Sequence, residues 1–139
     1  MQSQHDPVHS QKQGINKLKD TYLHWTRTQL DKLRAHLQLL EQESAYKPDD
    51  LLTEIFDLSH NIKGLGGSFG YYLMTDIATS LCEYLRFKDN ISDLQTDIIT
   101  AHVKSMDVVL TEEIGGSGGE QGNQILEQLQ KIIDQSSDD

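Results

Sequence analysis

Six apolar residues in the middle of the chain recur at intervals of four, three, four, three and four positions. At about 100° per residue, this spacing places them within roughly 40° of one line along an α-helix, which is typical of a helix that packs in a bundle. The sequence therefore predicts a helix from about Asp49 toward the glycines of segment 64–70. The six residues are Leu51, Ile55, Leu58, Ile62, Leu65 and Phe69.

Similar apolar spacing predicts further helices over Ile15–Glu43, Tyr71–Phe87 and Ser92–Glu113, and no strand-like alternation is sustained. The predicted fold class is therefore all-α, and the short connections between the four helices favour an antiparallel bundle. The predicted architecture is an antiparallel four-helix bundle with an additional short C-terminal helix. In the first helix the predicted core stripe is Ile15, Leu18, Tyr22, Trp25, Leu30, Leu33, Leu37 and Leu40.

The chain divides into four predicted parts. Residues 1–13 are polar and lack an apolar period, so we expect a disordered N-terminal lead. The bundle covers 14–113, the glycine-rich stretch 114–123 reads as a flexible linker, and 124–139 as a C-terminal amphipathic helix with a tail. Whether this last helix packs on the bundle, binds a partner or is only a tail stays open, with packing preferred.

Composition excludes several classes of function. The chain has 139 residues, enough for one core, and a formal net charge of −10, which makes nucleic acid and anionic membranes poor partners. No apolar run reaches the roughly 18–20 residues that span a bilayer, and nothing resembles a signal peptide. The single cysteine, Cys82, cannot form an internal disulfide, so we expect a buried thiol in a cytoplasmic protein.

One histidine of the second helix lies opposite the core stripe. His60 is about 180° from the stripe centre, so we expect its imidazole to face solvent. Asp57 lies one turn before it and Lys63 one turn after it. A neutral exposed imidazole is a nucleophile, and the lysine ammonium both discourages its protonation and attracts phosphoryl oxygens. His60, with Lys63 beside it, is therefore a candidate phosphoryl acceptor.

The helix surface around this histidine is unusual for a solvated face. Phe56 lies about 140° from the core line, so part of its ring should be exposed. Gly64 and Gly67 remove side chains where larger residues would favour the helix. An exposed ring beside bare backbone indicates a docking surface for another protein. Gly66 and Gly70 are expected to allow close packing and to end the helix. The same role remains an alternative for Gly67.

The second helix carries the string His60-Asn61-Ile62-Lys63-Gly64, followed by Ser68-Phe69-Gly70. This motif closely resembles that of the histidine-containing phosphotransfer (Hpt) domains of two-component signalling, including the variant at the start of chemotaxis histidine kinases. The family pattern is a histidine, two residues, Lys-Gly, and then small residues ending in Phe-Gly or Leu-Gly. This sequence matches it without a gap, and the resemblance extends over roughly residues 15–113.

The resemblance implies a role for each residue of the motif. His60 would be the phosphorylated residue, Lys63 its electrostatic support, and Gly64 the small residue that exposes the imidazole. Phe69 and Gly70 would close the motif helix. Together with Phe56, Asp57 and Gly67 from the helix wheel, Lys63 and Gly64 make up the expected partner-binding surface.

The resemblance also implies the partners and the cofactor requirement. The chain would accept a phosphoryl group from a receiver-domain phosphoaspartate or from a sensor or hybrid histidine kinase, and pass it to a response regulator. Mg²⁺ and the catalytic aspartate would belong to the receiver, while this chain would bind no cofactor and have no kinase activity. The sequence contains no phosphate-binding loop of the nucleotide type, which agrees with that expectation. We expect a monomer.

The remaining histidines and two other functions complete the set of hypotheses. His24, His36 and His102 form no HxxxH or ExxH pair, so we expect no metal site. One alternative function is a phosphotransfer module of a larger chemotaxis-type or hybrid kinase, although the polar first residues and the polar tail favour a free-standing protein. Another is a helical adaptor that binds receiver domains without being phosphorylated.

Overall fold

The structure, a computed structural model, describes residues 7–42 and 50–137. Over these two ranges it is all-helical, as the apolar spacing predicts, and contains no strand. Short 3₁₀ helices lie at Gly67–Phe69 and Ile91–Asp93. The α-helices are α1 (Pro7–Glu41), α2 (Leu51–Gly66), α3 (Tyr72–Arg86), α4 (Thr96–Thr111) and α5 (Gly119–Ser137).

One hydrophobic core joins the five helices. Helix α1 packs against α2 and α4, α3 packs against the same two helices, and α5 packs on α3 and α4. The core cluster includes Leu30 of α1, Ile55 of α2, Ile77 of α3, Ile99 of α4 and Leu129 of α5. The preferred interpretation of the last helix, packing on the other four, is therefore confirmed.

Several predicted boundaries are wrong. Residues 7–13, predicted to be disordered, belong to α1. Extending an existing helix costs little free energy because each added residue gains a hydrogen bond, so even a polar segment can continue it. The fourth helix begins at Thr96 rather than Ser92, after the 3₁₀ turn. Pro48, expected near the start of α2, lies outside the described residues.

The glycine-rich stretch 114–123 is an ordered turn rather than a flexible linker. Helix α5 already begins at Gly119, inside the predicted linker. Gly116 adopts a positive φ of 60°, its carbonyl accepts a hydrogen bond from Leu73 N (2.8 Å), and its own N–H donates to Gly70 O (2.7 Å). These glycines supply the left-handed backbone that a tight turn requires, so their high content does not produce a flexible linker here.

The predicted core stripe of α1 is correct at its centre and wrong near its start. Tyr22, Leu30, Leu33 and Leu37 are buried, whereas Leu18 is 58% exposed. Leu18 lies at the rim of an open groove beside the turn between α2 and α3, where no helix covers it.

Tyr22 connects α1 to that turn through its ring. The ring lies between those of Phe69 and Tyr71, with centroids 5.0 and 4.9 Å away and planes within 22° and 21° of parallel. Its hydroxyl is buried and has no hydrogen-bond partner among the described residues. Burial raises the pKa of Tyr22 to about 12, because a phenolate would be poorly solvated there.

Replacing Tyr22 separates the contributions of its ring and its hydroxyl. We expect Tyr22→Phe to leave the free energy of unfolding unchanged or to raise it, because an unpaired buried hydroxyl costs about 1–3 kcal/mol. Tyr22→Ala should lower it by about 3–5 kcal/mol through loss of the stacked ring. Urea unfolding of both variants measures the difference. A Tyr22→Phe variant less stable than the parent by more than about 1 kcal/mol would contradict the unpaired hydroxyl.

His102 is buried between α3 and α4. Its Nδ1 lies 2.8 Å from Ile98 O and its Nε2 lies 2.9 Å from Ser80 Oγ. Because a carbonyl oxygen only accepts, Nδ1 carries a proton, and in the neutral ring that burial favours Nε2 accepts from the Ser80 hydroxyl. Burial lowers the pKa of His102 below its ordinary value of 6.5.

The buried imidazole makes stability depend on pH. Below pH 6.5 the unfolded chain binds a proton at His102 that the folded protein does not bind. The free energy of unfolding should therefore fall by about 1.4 kcal/mol per pH unit as pH drops from there toward the lowered pKa. His102→Leu should remove this component, whereas the exposed His24→Gln should keep it. Parallel pH–stability curves for the parent and His102→Leu would contradict the assignment.

Candidate functional site

Helix α2 presents His60 to solvent because its opposite side is in the core. Leu51, Ile55 and Ile62 are completely buried, and His60 is exposed. The outward orientation expected from the helix wheel is therefore confirmed.

The buried face of α2 is nevertheless rotated toward α3. Leu58 and Leu65 of the predicted stripe are only half-buried, while Ser59 and Gly66 are buried instead. Both are small, so α3 can come close to α2, and α2 packs more extensively on α3 than on α1. Ser59 Oγ donates to Ile55 O (2.8 Å), which satisfies its hydroxyl inside the core.

Phe56 links the core to the histidine. It is half-buried and packs against the core cluster. Its ring lies nearly parallel to the His60 imidazole, with centroids 6.1 Å apart and planes 12° from parallel. This offset arrangement lies within the range that favours aromatic pairs. One side of the imidazole therefore has an apolar neighbour, and none of the described residues hydrogen-bonds to the ring.

The two flanks of His60 differ in chemistry. On the α1 side, a shallow groove is lined by Glu54, Asp57 and Asn61 of α2 together with His36 of α1. Lys63 lies on the α3 side. Burial raises the pKa of the Cys82 thiol, and the positive charges of Lys63 and Arg86 are close enough to oppose that rise. The exposed ring thus lies between an acidic flank and a basic one. Cys82 is buried, as expected.

Sequence reasoning missed His36 as a neighbour of this site, because no spacing rule relates residues on different helices. Its Nδ1 lies 2.7 Å from Lys32 O, and its Nε2 lies 2.6 Å from Glu54 Oε2. Both ring nitrogens of His36 are therefore engaged in contacts within the fold. The contact joins α1 to α2 beside the candidate site.

The glycines of the motif differ in what surrounds them. A Cβ at Gly64 would meet nothing within 4 Å, and one at Gly67 only Thr75 Oγ1 at 3.8 Å. A Cβ at Gly66 would lie 2.5 Å from Thr75 Oγ1 and 3.0 Å from Tyr71 O. Gly70 ends the motif in a left-handed conformation, with φ 81°. Gly66 and Gly70 thus serve packing and the helix end, as expected, while Gly64 and Gly67 leave the outer face bare.

Within 7–42 and 50–137, no cluster of three or more histidine, cysteine, aspartate or glutamate side chains has the geometry of a metal site. In the same part of the chain, no helix combines the length and the apolar composition needed to cross a bilayer.

The outer face of α2 thus exposes an imidazole that has no hydrogen-bond partner among the described residues, beside an aromatic ring and a stretch of bare backbone. The family model of the Hpt domain matches residues 17–139, which include α5 as well as the four preceding helices. The chain therefore belongs to the Hpt domain family, whose members carry out histidine phosphotransfer in phosphorelays. No curated protein and no solved structure matches the sequence.

Alanine at Gly64 and at Gly66 should have opposite effects on stability. We expect Gly64→Ala to raise the free energy of unfolding by up to about 1 kcal/mol, because alanine favours a helix and the added methyl meets no neighbour. Gly66→Ala should lower it by about 1–3 kcal/mol, because the methyl would press on Tyr71 O and on Thr75. Denaturant unfolding measures both. Equal shifts in the two variants would show that close α2–α3 packing is not what requires Gly66.

Proposed function

We propose that this chain is a phosphorelay carrier in which His60 holds the phosphoryl group. The observation that carries the proposal is the state of the four histidines whose side chains are described. His36 and His102 have both ring nitrogens engaged, whereas His24 and His60 are exposed and unpaired within the described residues. Of the two exposed rings, His60 alone lies in the family motif, beside Lys63 and the bare Gly64.

The transfer step follows from the nucleophilicity of a neutral imidazole. A lone pair on one ring nitrogen, which we take as Nε2, attacks the phosphorus of an aspartyl phosphate in line with the bond to the carboxylate oxygen. The N–P bond forms as the P–O bond breaks, and the carboxylate keeps the electron pair of the broken bond. The proton on Nδ1 stays on the ring during transfer and exchanges with water afterwards. In the reverse direction, a receiver aspartate attacks phosphohistidine and the nitrogen recovers its lone pair.

Residues around His60 support this step without forming a complete catalytic site. We propose that Lys63 attracts the incoming phosphoryl oxygens and that Gly64 leaves room for the partner's active site to reach the imidazole. We also propose that Mg²⁺ and the reacting aspartate belong to the receiver domain. On this proposal the chain carries phosphoryl groups and has no kinase activity of its own.

We further propose that α1 to α4 form an antiparallel four-helix bundle, which holds this face rigid. Three pairings support opposite directions for neighbouring helices. Early α1 meets the segment just after α4 through Lys19 and Glu113 (2.9 Å), and late α1 meets early α2 through the His36–Glu54 contact. Likewise, Thr75 Oγ1 of early α3 donates to Lys63 O of late α2 (3.0 Å).

The proposed docking surface centres on the outer face of α2. It comprises Phe56, Asp57, Lys63, Gly64 and Gly67, and we extend it to the α1 side through His36. A sensor or hybrid kinase and receiver domains are the proposed partners. Because the site lies on an open face, the partner's surface must supply the exclusion of water during transfer.

Phosphorylation of His60 can be tested with matched histidine variants. Incubation with each receiver domain of the source organism, phosphorylated and supplied with Mg²⁺, should place acid-labile, alkali-stable label on the parent chain. We expect His60→Gln to reduce this label to background and His24→Gln to retain it, because only the motif imidazole is presented to the partner. Circular dichroism should show that both variants remain helical.

The same experiment contains the outcomes that would overturn the proposal. Label that persists in His60→Gln and disappears in His24→Gln would move the acceptor to α1. A parent chain that binds a receiver but is never labelled would favour the adaptor function instead.

A further inference from the structure

A groove separates the first half of α2 from the end of α3. It has a volume of about 370 Å³ and is open to solvent. Leu52 and Phe56 line it on the α2 side, and Leu85, Arg86, Lys88 and Asp89 line it on the α3 side. Apolar and basic groups therefore share one concave surface.

The groove is continuous with the site at His60. Phe56 lines the groove and also stacks on the imidazole. A typical protein interface covers about 800 Å² on each partner, which corresponds to a disc of roughly 16 Å radius. Leu52 lies eight residues from His60 along α2, or about 12 Å at 1.5 Å per residue. A protein that docks over the imidazole therefore covers the groove as well.

The charge of the groove differs from that of the chain. Arg86 and Lys88 outnumber Asp89 on its walls, although the whole chain has a net charge of −10. The Lys88 ammonium lies 4.8 Å from the centre of the Tyr84 ring, which holds it at the end of α3. Lys63 adds a cation on the same side of α2, and Glu83 a carboxylate on the exposed side of α3. The net negative charge of the chain repels an acidic partner, whereas the cations of the groove attract it.

An exposed aromatic ring lies next to these cations in sequence. Phe87 directly follows α3 and is 81% exposed, the largest exposure of any bulky apolar side chain in the described part of the chain. The ring adds apolar surface next to the two cations, Arg86 and Lys88, that line the groove. Aromatic and arginine side chains are also the types that most often dominate interface energies.

We propose that this α2–α3 groove, together with the exposed Phe87 that lies between Arg86 and Lys88 in sequence, is a second contact for the protein that exchanges phosphoryl groups with His60. Its occupant is a segment of that partner in which carboxylates flank an apolar side chain. The carboxylates pair with Arg86 and Lys88, and the apolar side chain packs on Leu52 and Phe56. The inference rests on the proposed function and adds to it the orientation of the partner, whose acidic side lies over α3.

Charge reversal at the groove tests this contact. Transfer from a phosphorylated receiver domain that labels the parent chain is measured for Arg86→Glu and for Phe87→Ser, with Lys131→Glu on the exposed side of α5 as the matched control. We expect Arg86→Glu to raise KM about tenfold or more with little change in kcat, since the groove affects docking rather than chemistry. Phe87→Ser should also raise KM, and Lys131→Glu should leave it within twofold of the parent.

The dependence of KM on salt concentration is a second measurement, and a purely structural role of Arg86 would not change it. The KM difference between Arg86→Glu and the parent should shrink at high ionic strength, because salt screens the pairing with partner carboxylates. Unfolding midpoints equal to that of the parent would show that the variants are intact.

The outcomes separate the two proposals. If the parent transfers phosphoryl groups and Arg86→Glu and Phe87→Ser match its KM at low salt, the groove is not a contact and the proposed function stands. A KM increase in Lys131→Glu equal to that in Arg86→Glu would also overturn the groove, because it would reflect overall charge alone. If no receiver domain labels His60 in the parent, the proposed function fails and this inference fails with it.

Discussion

The close packing of α2 on α3 is the interaction on which the arrangement of the site depends. It is possible because α2 presents small residues, Ser59 and Gly66, to its neighbour, and because Thr75 of α3 hydrogen-bonds to Lys63 O across the gap. A methyl at Gly66 would already collide with Thr75 and with Tyr71 O. The contact determines how far α2 is rotated about its axis. That rotation turns His60 to solvent and brings Phe56 between the imidazole and the α2–α3 groove.

Three histidines of this fold have different surroundings, and these surroundings decide whether their ring nitrogens are engaged in hydrogen bonds. His102 is enclosed and neutral, with its ring nitrogens bonded to Ile98 O and Ser80 Oγ. His36 lies at the surface but is held between Lys32 O and Glu54. His60 is exposed, with only an aromatic neighbour. A side chain that must attack an external phosphorus atom needs an unengaged nitrogen, so the surroundings of His60 suit phosphotransfer.

The charges on the two sides of His60 are asymmetric. On the α1 side of His60, carboxylates dominate, and one of them is paired with His36. On the α3 side, Lys63, Arg86 and Lys88 bring positive charge into a strongly acidic chain. An approaching protein therefore meets opposite potentials on the two sides of the imidazole. Such a pattern favours one docking orientation, because rotating the partner would place like charges together.

What the sequence by itself determined is the periodic part of the fold and the solvent-facing position of His60. The apolar spacing of α2 and the His-x-x-Lys-Gly motif predicted the outward face of His60, because both are properties of a single helix. Composition was less informative where a property depends on neighbouring segments. The polar residues 7–13 continue α1, and the glycines of segment 114–118 form a bonded turn against α3.

Tertiary structure alone decided which helix faces meet and which side chains from different helices lie together. The exposure of Leu18, the contact of His36 with Glu54, and the groove shared by Phe56 and Arg86 all depend on the placement of one helix beside another. Periodicity specifies which side of a helix is apolar. It does not specify the neighbour, the distance or the rotation, because those depend on how small residues such as Ser59 and Gly66 let two helices approach.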